Sequence, residues 1–167
     1  MTSAELLTDA FGRVAETVHE ATRGLTESQL AERLDADANS IAWLVWHLTR
    51  VEDDHLAGAF GVPQVWTDYG KRFELPFVDS DIGYGQSSAQ VAQVVAGADL
   101  LTGYQDAVHE QAVRLVSAVT DADLDRVVDE AWDPPVTMGV RLVSVISDCL
   151  QHAGQAAFIR GILLRAR

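Results

Sequence analysis

Apolar residues in the first segment of the chain recur every three or four positions, which is the spacing of one face of an amphipathic helix. The segment runs from Ser3 to about Arg23, and its apolar positions are Leu6, Leu7, Ala10, Phe11, Val14, Ala15 and Val18. Gly24 follows, a residue type that commonly ends a helix. Thr26 and Gln29 have the spacing of a capping box, which predicts a short helical turn through Leu34.

A second long helix is predicted from a cap at Asp37, Asn39 or Ser40 to the region of Gly61 and Pro63. The periodic pattern is lost between positions 63 and 87, where prolines and glycines alternate with scattered aromatic residues. A connection of about 25 residues is long for a compact domain, and such loops are often functional. A crossover of this length lets two consecutive helices of a bundle run parallel.

The third helix is predicted over residues 88–119, with Gly97 and Gly103 weakening it without ending it. A short acidic stretch and a turn at Asp133-Pro134-Pro135 follow. The fourth long helix is predicted from Val136 to Arg167, and its last turns carry the arginines Arg160, Arg165 and Arg167, which favour the C-terminal end of a helix dipole. Four long helices without strands indicate an all-α four-helix bundle over residues 1–167 as a single domain.

Charge and composition exclude several classes of function. The chain has 12 basic and 25 acidic residues, which gives a net charge of −13. Phosphate backbones and anionic membrane surfaces repel such a chain, so we expect neither nucleic-acid nor membrane binding. With one cysteine, Cys149, no intrachain disulfide can form. No apolar run reaches about 18 residues, and no signal peptide is evident, so we expect a cytoplasmic protein.

The five histidines differ in their surroundings. His19 and His109 stand among acidic and polar residues and are interpreted as ordinary surface or boundary residues. His47 lies in the most apolar part of the second helix, and its side chain is expected to face the interior. A buried neutral imidazole is either hydrogen-bonded in the core or a metal ligand. His152 follows Asp148 by four residues, so both side chains lie on one helix face.

Two imidazoles and one carboxylate form a recognised ligand set for divalent transition metals. We therefore predict a metal site of His47, Asp148 and His152; the alternative for the last two is a simple ion pair on the helix surface. Asp54 and His55 lie two turns beyond His47, roughly 10–12 Å along the axis, which is too far to share one ion. Either residue is expected at the mouth of a pocket above that site.

Two stretches of this sequence resemble the DinB-like superfamily. Residues 41–52 read IAWLVWHLTRVE, and residues 152–155 and 158–161 read HAGQ and FIRG. The resemblance covers nearly the whole chain, including the long loop after the second helix. It implies a four-helix bundle that holds a divalent metal through three side chains. The superfamily includes thiol transferases that use bacillithiol or mycothiol, and the metal-binding domain of mycothiol-dependent maleylpyruvate isomerase.

The resemblance implies roles for individual residues. The first family ligand falls on His47 and the last on His152, and the middle ligand, four residues earlier, falls on Asp148. Many members have His at this middle position, and the isomerase-like members have Glu. Because Asp is one methylene shorter than Glu, we expect weaker metal binding, binding through water, or loss of the ion. The metal is expected to be Zn, Ni or Fe.

A metal with an open position lowers the pKa of a bound thiol. We therefore expect a thiol S-transferase or isomerase that uses a low-molecular-weight thiol such as mycothiol and an electrophilic substrate. The alternative is a bundle that binds a metal or small ligand without turnover. Cys149 points away from the ligand face and is interpreted as a buried packing residue. By analogy with the family, a homodimer is expected.

Further residues are expected to shape the pocket. Three lie on or beside the ligand-bearing helix faces, namely Trp43, Arg50 and Gln155. Three others in the long loop are expected to form a lid or wall, namely Trp66, Tyr69 and Arg72. For each of these residues the alternative interpretation is ordinary packing or a solvated surface.

Overall fold

The computed structural model describes residues 1–165, which form four long helices joined by short elements. In chain order these are α1 (Ser3–Thr22), α2 (Glu27–Leu30), α3 (Ile41–Phe60), α4 (Trp66–Phe73), α5 (Ser88–Val91), α6 (Ala98–Val116), a 3₁₀-helix (Asp121–Asp125), β1 (Val127–Asp129), β2 (Val136–Thr137) and α7 (Met138–Arg165). The predicted all-α DinB-like bundle is confirmed. None of the described helices is both long and apolar enough to cross a membrane.

The four long helices form a ring in which α3 packs against α6 and α7, and α1 packs against the same two helices from the other side. Contacts along the pair show that α3 and α7 are antiparallel, because His47 meets His152 whereas His55 meets Arg141. In contrast, α3 and α6 run parallel, as the long crossover predicted: Thr49 bonds to Gln105, and Pro63, beyond the end of α3, bonds to Gln111.

Helix α3 is the centre of the bundle. Its residues from Ile41 to Asp53 are all buried, polar ones included. The helix is covered on two sides by α6 and α7 and on another by the crossover between positions 61 and 97. A helix surrounded in this way is apolar around most of its circumference rather than along one stripe. This burial holds His47 in a fixed environment.

The crossover is fastened to α3 by a buried acid. The carboxylate of Asp53 accepts hydrogen bonds from the backbone N–H groups of Val65 and Trp66, at 2.9 and 2.8 Å, where α4 begins. It also accepts one from the hydroxyl of Tyr104 at 2.7 Å. Backbone donors at a helix start are otherwise unpaired, so the carboxylate fixes where α4 starts.

Three predicted elements were wrong in detail. The short helix after Thr26 ends at Leu30 rather than at Leu34. The third helix is interrupted: α5 is one turn capped by Ser87, and α6 starts only at Ala98 because the preceding Gly97 is extended. The apolar residues between them, Val94 and Ala96, are buried in an irregular segment, which explains why the apolar pattern is continuous.

The fourth helix starts at Met138, since Val136 pairs with β1 in a short ribbon that the pattern did not predict. Arg167 lies outside the described residues.

Candidate metal centre

Helices α3 and α7 bring three potential metal ligands together. His47 comes from α3, and Asp148 and His152 come from consecutive turns of α7. One ligand atom from each lies within 4.8 Å of the other two. His152 Nε2 is 3.8 Å from Asp148 Oδ1, and the two imidazole rings have centroids 4.9 Å apart. The three residues predicted from the sequence thus share one site.

The crossover fixes the orientation of the His47 ring. His47 Nδ1 lies 2.5 Å from the carbonyl oxygen of Ile82, which accepts a hydrogen bond from it. The lone pair is therefore on Nε2, the arrangement that metal-binding histidines commonly adopt. Burial lowers the pKa of His47, although the hydrogen bond to Ile82 acts in the opposite direction. His47 is thus held as a neutral imidazole, the form that binds metals.

Gly83 allows the crossover to approach His47 this closely. Its φ is +105°, in a region that side-chain-bearing residues rarely adopt. A Cβ atom at this position would lie 2.5 Å from His47 Nδ1 and 3.2 Å from Cζ2 of Trp43. A glycine is therefore required here for both backbone conformation and space.

On the α7 side of the site, His152 is also oriented by a hydrogen bond, and one oxygen atom of Asp148 lacks a hydrogen-bond partner among the described residues. His152 Nδ1 donates to Gln155 Oε1 at 3.0 Å, so the lone pair of His152 is also on Nε2. Asp148 Oδ2 is buried and, within residues 1–165, has no hydrogen-bond partner. A buried carboxylate oxygen without a partner is costly and needs a proton, water or cation. The donor set and this oxygen together fit a divalent cation.

Trp43 forms one wall of the site. Its indole stacks on His47 with ring centroids 4.6 Å apart and meets His152 edge-on at 6.3 Å. Trp43 Nε1 donates to Gln86 Oε1 at 2.7 Å, which ties the wall to the crossover. Trp43 and Gln155, both predicted as pocket residues, therefore contact the candidate ligands directly.

Arg50 was wrongly expected in this pocket. Its guanidinium donates to Gln64 Oε1 at 2.8 Å and to the carbonyl oxygen of Asp79 at 2.7 Å, and it lies 4.4 Å above the ring of Trp66. It is completely buried on the α6 side of α3. Helix α3 is enclosed by α6, α7 and the crossover, so a buried side chain on α3 can contact any of the three. Arg50 contacts the crossover.

The predicted lid residues also lie elsewhere. Trp66 and Tyr69 belong to α4 and pack on Tyr104 of α6, with centroid distances of 5.3 and 5.2 Å. Arg72 lies over the ring of Tyr69. The capping of α4 by Asp53 directs this short helix onto α6. These residues form a wall of the bundle on the side of α6.

Tyr84 is the aromatic residue of the crossover that reaches the site, and the sequence analysis missed it. Its ring meets His47 edge-on at 5.1 Å and lies 6.5 Å from His55, while 58% of the residue is exposed. Partial burial of the side chain, with Asp148 nearby, raises the pKa of Tyr84 to about 12. The available signal was an aromatic residue between two glycines, Gly83 and Gly85, a pattern typical of a tight loop.

The remaining histidines are distributed as follows. His55 is two turns along α3 and borders, with Asp54, a cavity separate from the candidate metal centre rather than the mouth of a pocket above it. His19 is exposed and its Nε2 lies 2.7 Å from Asp106 Oδ1, consistent with a surface residue. His109 is half-buried on α6, consistent with a boundary residue.

Cys149 is confirmed as a packing residue. It is fully buried, and its Sγ donates to the carbonyl oxygen of Leu48 at 3.4 Å. Burial, with the nearby carboxyl of Glu52, raises the pKa of the Cys149 thiol well above its usual value. A buried thiol of this kind is not a nucleophile at neutral pH.

Comparisons with known proteins agree with this architecture. The family model described as Mycothiol-S-transferase matches residues 6–164. A conserved protein of Enterococcus faecalis, known from its crystal structure, is similar over 96% of each chain, with 28% sequence identity and a TM-score of 0.88. A search of curated proteins gave no match. Since the family model spans nearly the full length, this chain belongs to the mycothiol S-transferase family.

Proposed function

We propose that this protein is a divalent-metal-dependent S-transferase that joins a low-molecular-weight thiol, such as mycothiol, to an electrophilic substrate. The observation that carries the proposal is the convergence of His47, Asp148 and His152, with one buried Asp148 oxygen lacking a partner in the described part of the chain. The proposed ion is Zn, Ni or Fe, each of which accepts nitrogen and oxygen ligands.

The three side chains are suited to hold such an ion. Metal–ligand bonds of about 2.0–2.2 Å put neighbouring ligand atoms about 3–3.5 Å apart. The atoms here are at most 4.8 Å apart, so small rotations of the Asp148 and His152 side chains suffice. This spacing supports direct ligation by Asp148, the shorter residue at the middle position.

A divalent ion held by His47, Asp148 and His152 would supply Lewis acidity that lowers the pKa of the substrate thiol. The protein supplies the rest. The Ile82 carbonyl and Gln155 hold the two imidazoles as neutral ligands, and Trp43 limits the access of water on one side. The thiol releases its proton to solvent, the thiolate sulfur forms a bond to the electrophilic carbon, and the leaving group departs with the electron pair of the bond that breaks.

Tyr84 lies beside the site on the His55 side, since its ring is near those of both His47 and His55. With a pKa of about 12 its hydroxyl stays protonated at neutral pH, so it acts as a hydrogen-bond donor. A cavity of about 610 Å³ begins beside Gln155 and is lined by Leu44 and Phe158 among others. Its size and partly apolar lining suit a small organic electrophile.

The test is the metal content of the protein purified without a histidine tag. We expect close to one equivalent in the wild type, loss of the metal in His152→Ala, and retention in the matched control His109→Ala. The loaded protein is then assayed for transfer of mycothiol to monochlorobimane. Absence of metal after dialysis against Zn, Ni and Fe contradicts the proposal. Metal binding without transfer favours a non-catalytic ligand-binding bundle.

A further inference from the structure

A second cavity lies on the same pair of helices as the candidate metal centre. Its volume is about 310 Å³, and its lining consists of Asp54, His55, Gly58, Ala59, Val128, Asp129 and Arg141. His55 is eight residues beyond His47, and Arg141 is seven residues before Asp148. Since α3 and α7 are antiparallel, the cavity lies about two turns, or roughly 10–12 Å, from the metal centre. Tyr84 lies between the two.

The polar groups of the cavity have a defined hydrogen-bond pattern. Arg141 donates through Nη1 to His55 Nδ1 at 3.1 Å and through Nη2 to Asp129 Oδ2 at 2.7 Å. Because a guanidinium only donates, His55 Nδ1 is an acceptor and its Nε2 carries the proton. Burial lowers the pKa of His55, and the adjacent Arg141 lowers it further, so the imidazole stays neutral.

This pattern favours one chemical class of ligand. The lining combines the carboxylates of Asp54 and Asp129, which accept hydrogen bonds, with the N–H groups of His55 and Arg141, which donate them. An anion is repelled by the two carboxylates, whereas the guanidinium and the imidazole offer N–H donors that a cation cannot use. A neutral molecule with neighbouring hydroxyl groups satisfies both, because each hydroxyl donates one hydrogen bond and accepts others.

The volume of the cavity and the residues around it leave room for a small cyclic ligand. Part of the cavity is formed by Gly58 and Ala59, which leave room beside α3; a Cβ at Gly58 would meet no atom within 4 Å. The exposed ring of Tyr84 gives a flat apolar surface on the way to His47. The volume is at the lower end of the range for small-molecule sites, consistent with one or two rings.

We infer that this cavity, which we call the Arg141 cavity, binds the polyhydroxylated part of the thiol substrate while the sulfur reaches the centre formed by His47, Asp148 and His152. The inference rests on the proposed function for the identity of the thiol. It assigns Asp54, His55, Asp129 and Arg141 as residues that select a glycosylated thiol over a simple one. Mycothiol meets this requirement, since its cysteine is joined to a sugar and a cyclitol, whereas N-acetylcysteine does not.

The test uses S-methyl mycothiol, whose blocked sulfur makes binding independent of the metal, and isothermal titration calorimetry. Gly58→Leu fills the cavity without altering its charged residues, and Arg141→Gln removes the central donor. Gly12→Leu is the matched control, because Gly12 is also a helical glycine with open space around it, on α1. We expect at least tenfold weaker binding for the two cavity variants and a change below twofold for the control. Circular dichroism verifies that each variant is folded.

Further measurements separate the sources of affinity. Free inositol and methyl glucoside are expected to compete with S-methyl mycothiol in the wild type but not to bind Gly58→Leu. In transfer assays, the KM for mycothiol is expected to rise about tenfold in Arg141→Gln while the KM for N-acetylcysteine is unchanged. Equal affinity of wild type and Gly58→Leu, or no binding of S-methyl mycothiol to the wild type, overturns the inference. Failure of the metal or transfer assays alone contradicts the proposed function and leaves the calorimetric result standing.

Discussion

Replacing Gly83 with alanine tests how the crossover orients His47. The added Cβ would lie 2.5 Å from His47 Nδ1, and the residue would have to keep a φ of +105°. Real Cβ atoms do not approach a ring nitrogen this closely, so the segment around Gly83 must move away from α3. The hydrogen bond between His47 Nδ1 and the Ile82 carbonyl is then lost or lengthened.

The magnitude follows from two contributions. Loss of a partner that orients a metal-binding histidine typically lowers metal affinity by about 10- to 100-fold. A side chain in a disfavoured backbone region costs on the order of 1–3 kcal/mol of stability. We therefore expect Gly83→Ala to remain folded, with a lower midpoint of denaturation and at least tenfold weaker binding of Zn²⁺ or Ni²⁺.

The assay is competition for the metal with a chromophoric chelator, together with urea denaturation of the metal-free protein. Gly85→Ala is the matched control: Gly85 lies two residues away with a φ of +70°, and a Cβ there would meet no atom within 4 Å. This control shares the backbone strain but not the contact with His47. If both variants bind metal equally tightly, the argument that the crossover orients His47 is wrong.

Three further predictions concern the buried polar groups. Burial raises the pKa of Glu52 to about 8 from a reference of 4.5, so the folded state holds this proton more tightly than the unfolded state. The free energy of unfolding should therefore fall by about 1.4 kcal/mol per pH unit between pH 4.5 and about 8. In urea titrations at several pH values, Glu52→Gln should show a smaller fall over this range. Arg50 Nη1 lies 3.9 Å from Asp53 Oδ2, and both side chains are fully buried. Arg50→Met leaves the Asp53 carboxyl without this cation and should cost about 3–5 kcal/mol of stability. The double variant Arg50→Met/Asp53→Asn should cost less than the sum of the single variants, and additive costs would contradict the pairing. Cys149 should resist alkylation by iodoacetamide in the folded protein, and Cys149→Ala should retain thiol transfer; rapid labelling would show that the thiol is accessible.

The long helices could be predicted because their signals are local. The apolar spacing of α1, the capping box at Thr26 and Gln29, and the cap at Ser40 are all present in the structure. The interruption before α6 could not be predicted, since Val94 and Ala96 are apolar and buried whether or not the segment is helical. The ribbon of β1 and β2 depends on pairing between separate segments, which no local period shows.

In the candidate metal centre, too, local features could be predicted from the sequence, whereas contacts between distant segments could not. Asp148 and His152 could be placed together because a spacing of four fixes a shared helix face. The carbonyl of Ile82, the close approach of Gly83 and the ring of Tyr84 depend on how the crossover folds back, so they follow only from tertiary structure. Arg50 was misplaced for a related reason: periodicity indicated that it is buried but not which neighbour it contacts.

The antiparallel contact between α3 and α7 joins segments that are about a hundred residues apart in the chain. Ligands that are so distant in sequence have no shared geometry in the unfolded chain, so an ion held by both helices binds the native state selectively. By mass action, such an ion at one hundred times its dissociation constant adds about 2.7 kcal/mol to the free energy of unfolding. The abundance of the metal in the cell would then set how much of this protein survives thermal or proteolytic stress, independently of any turnover.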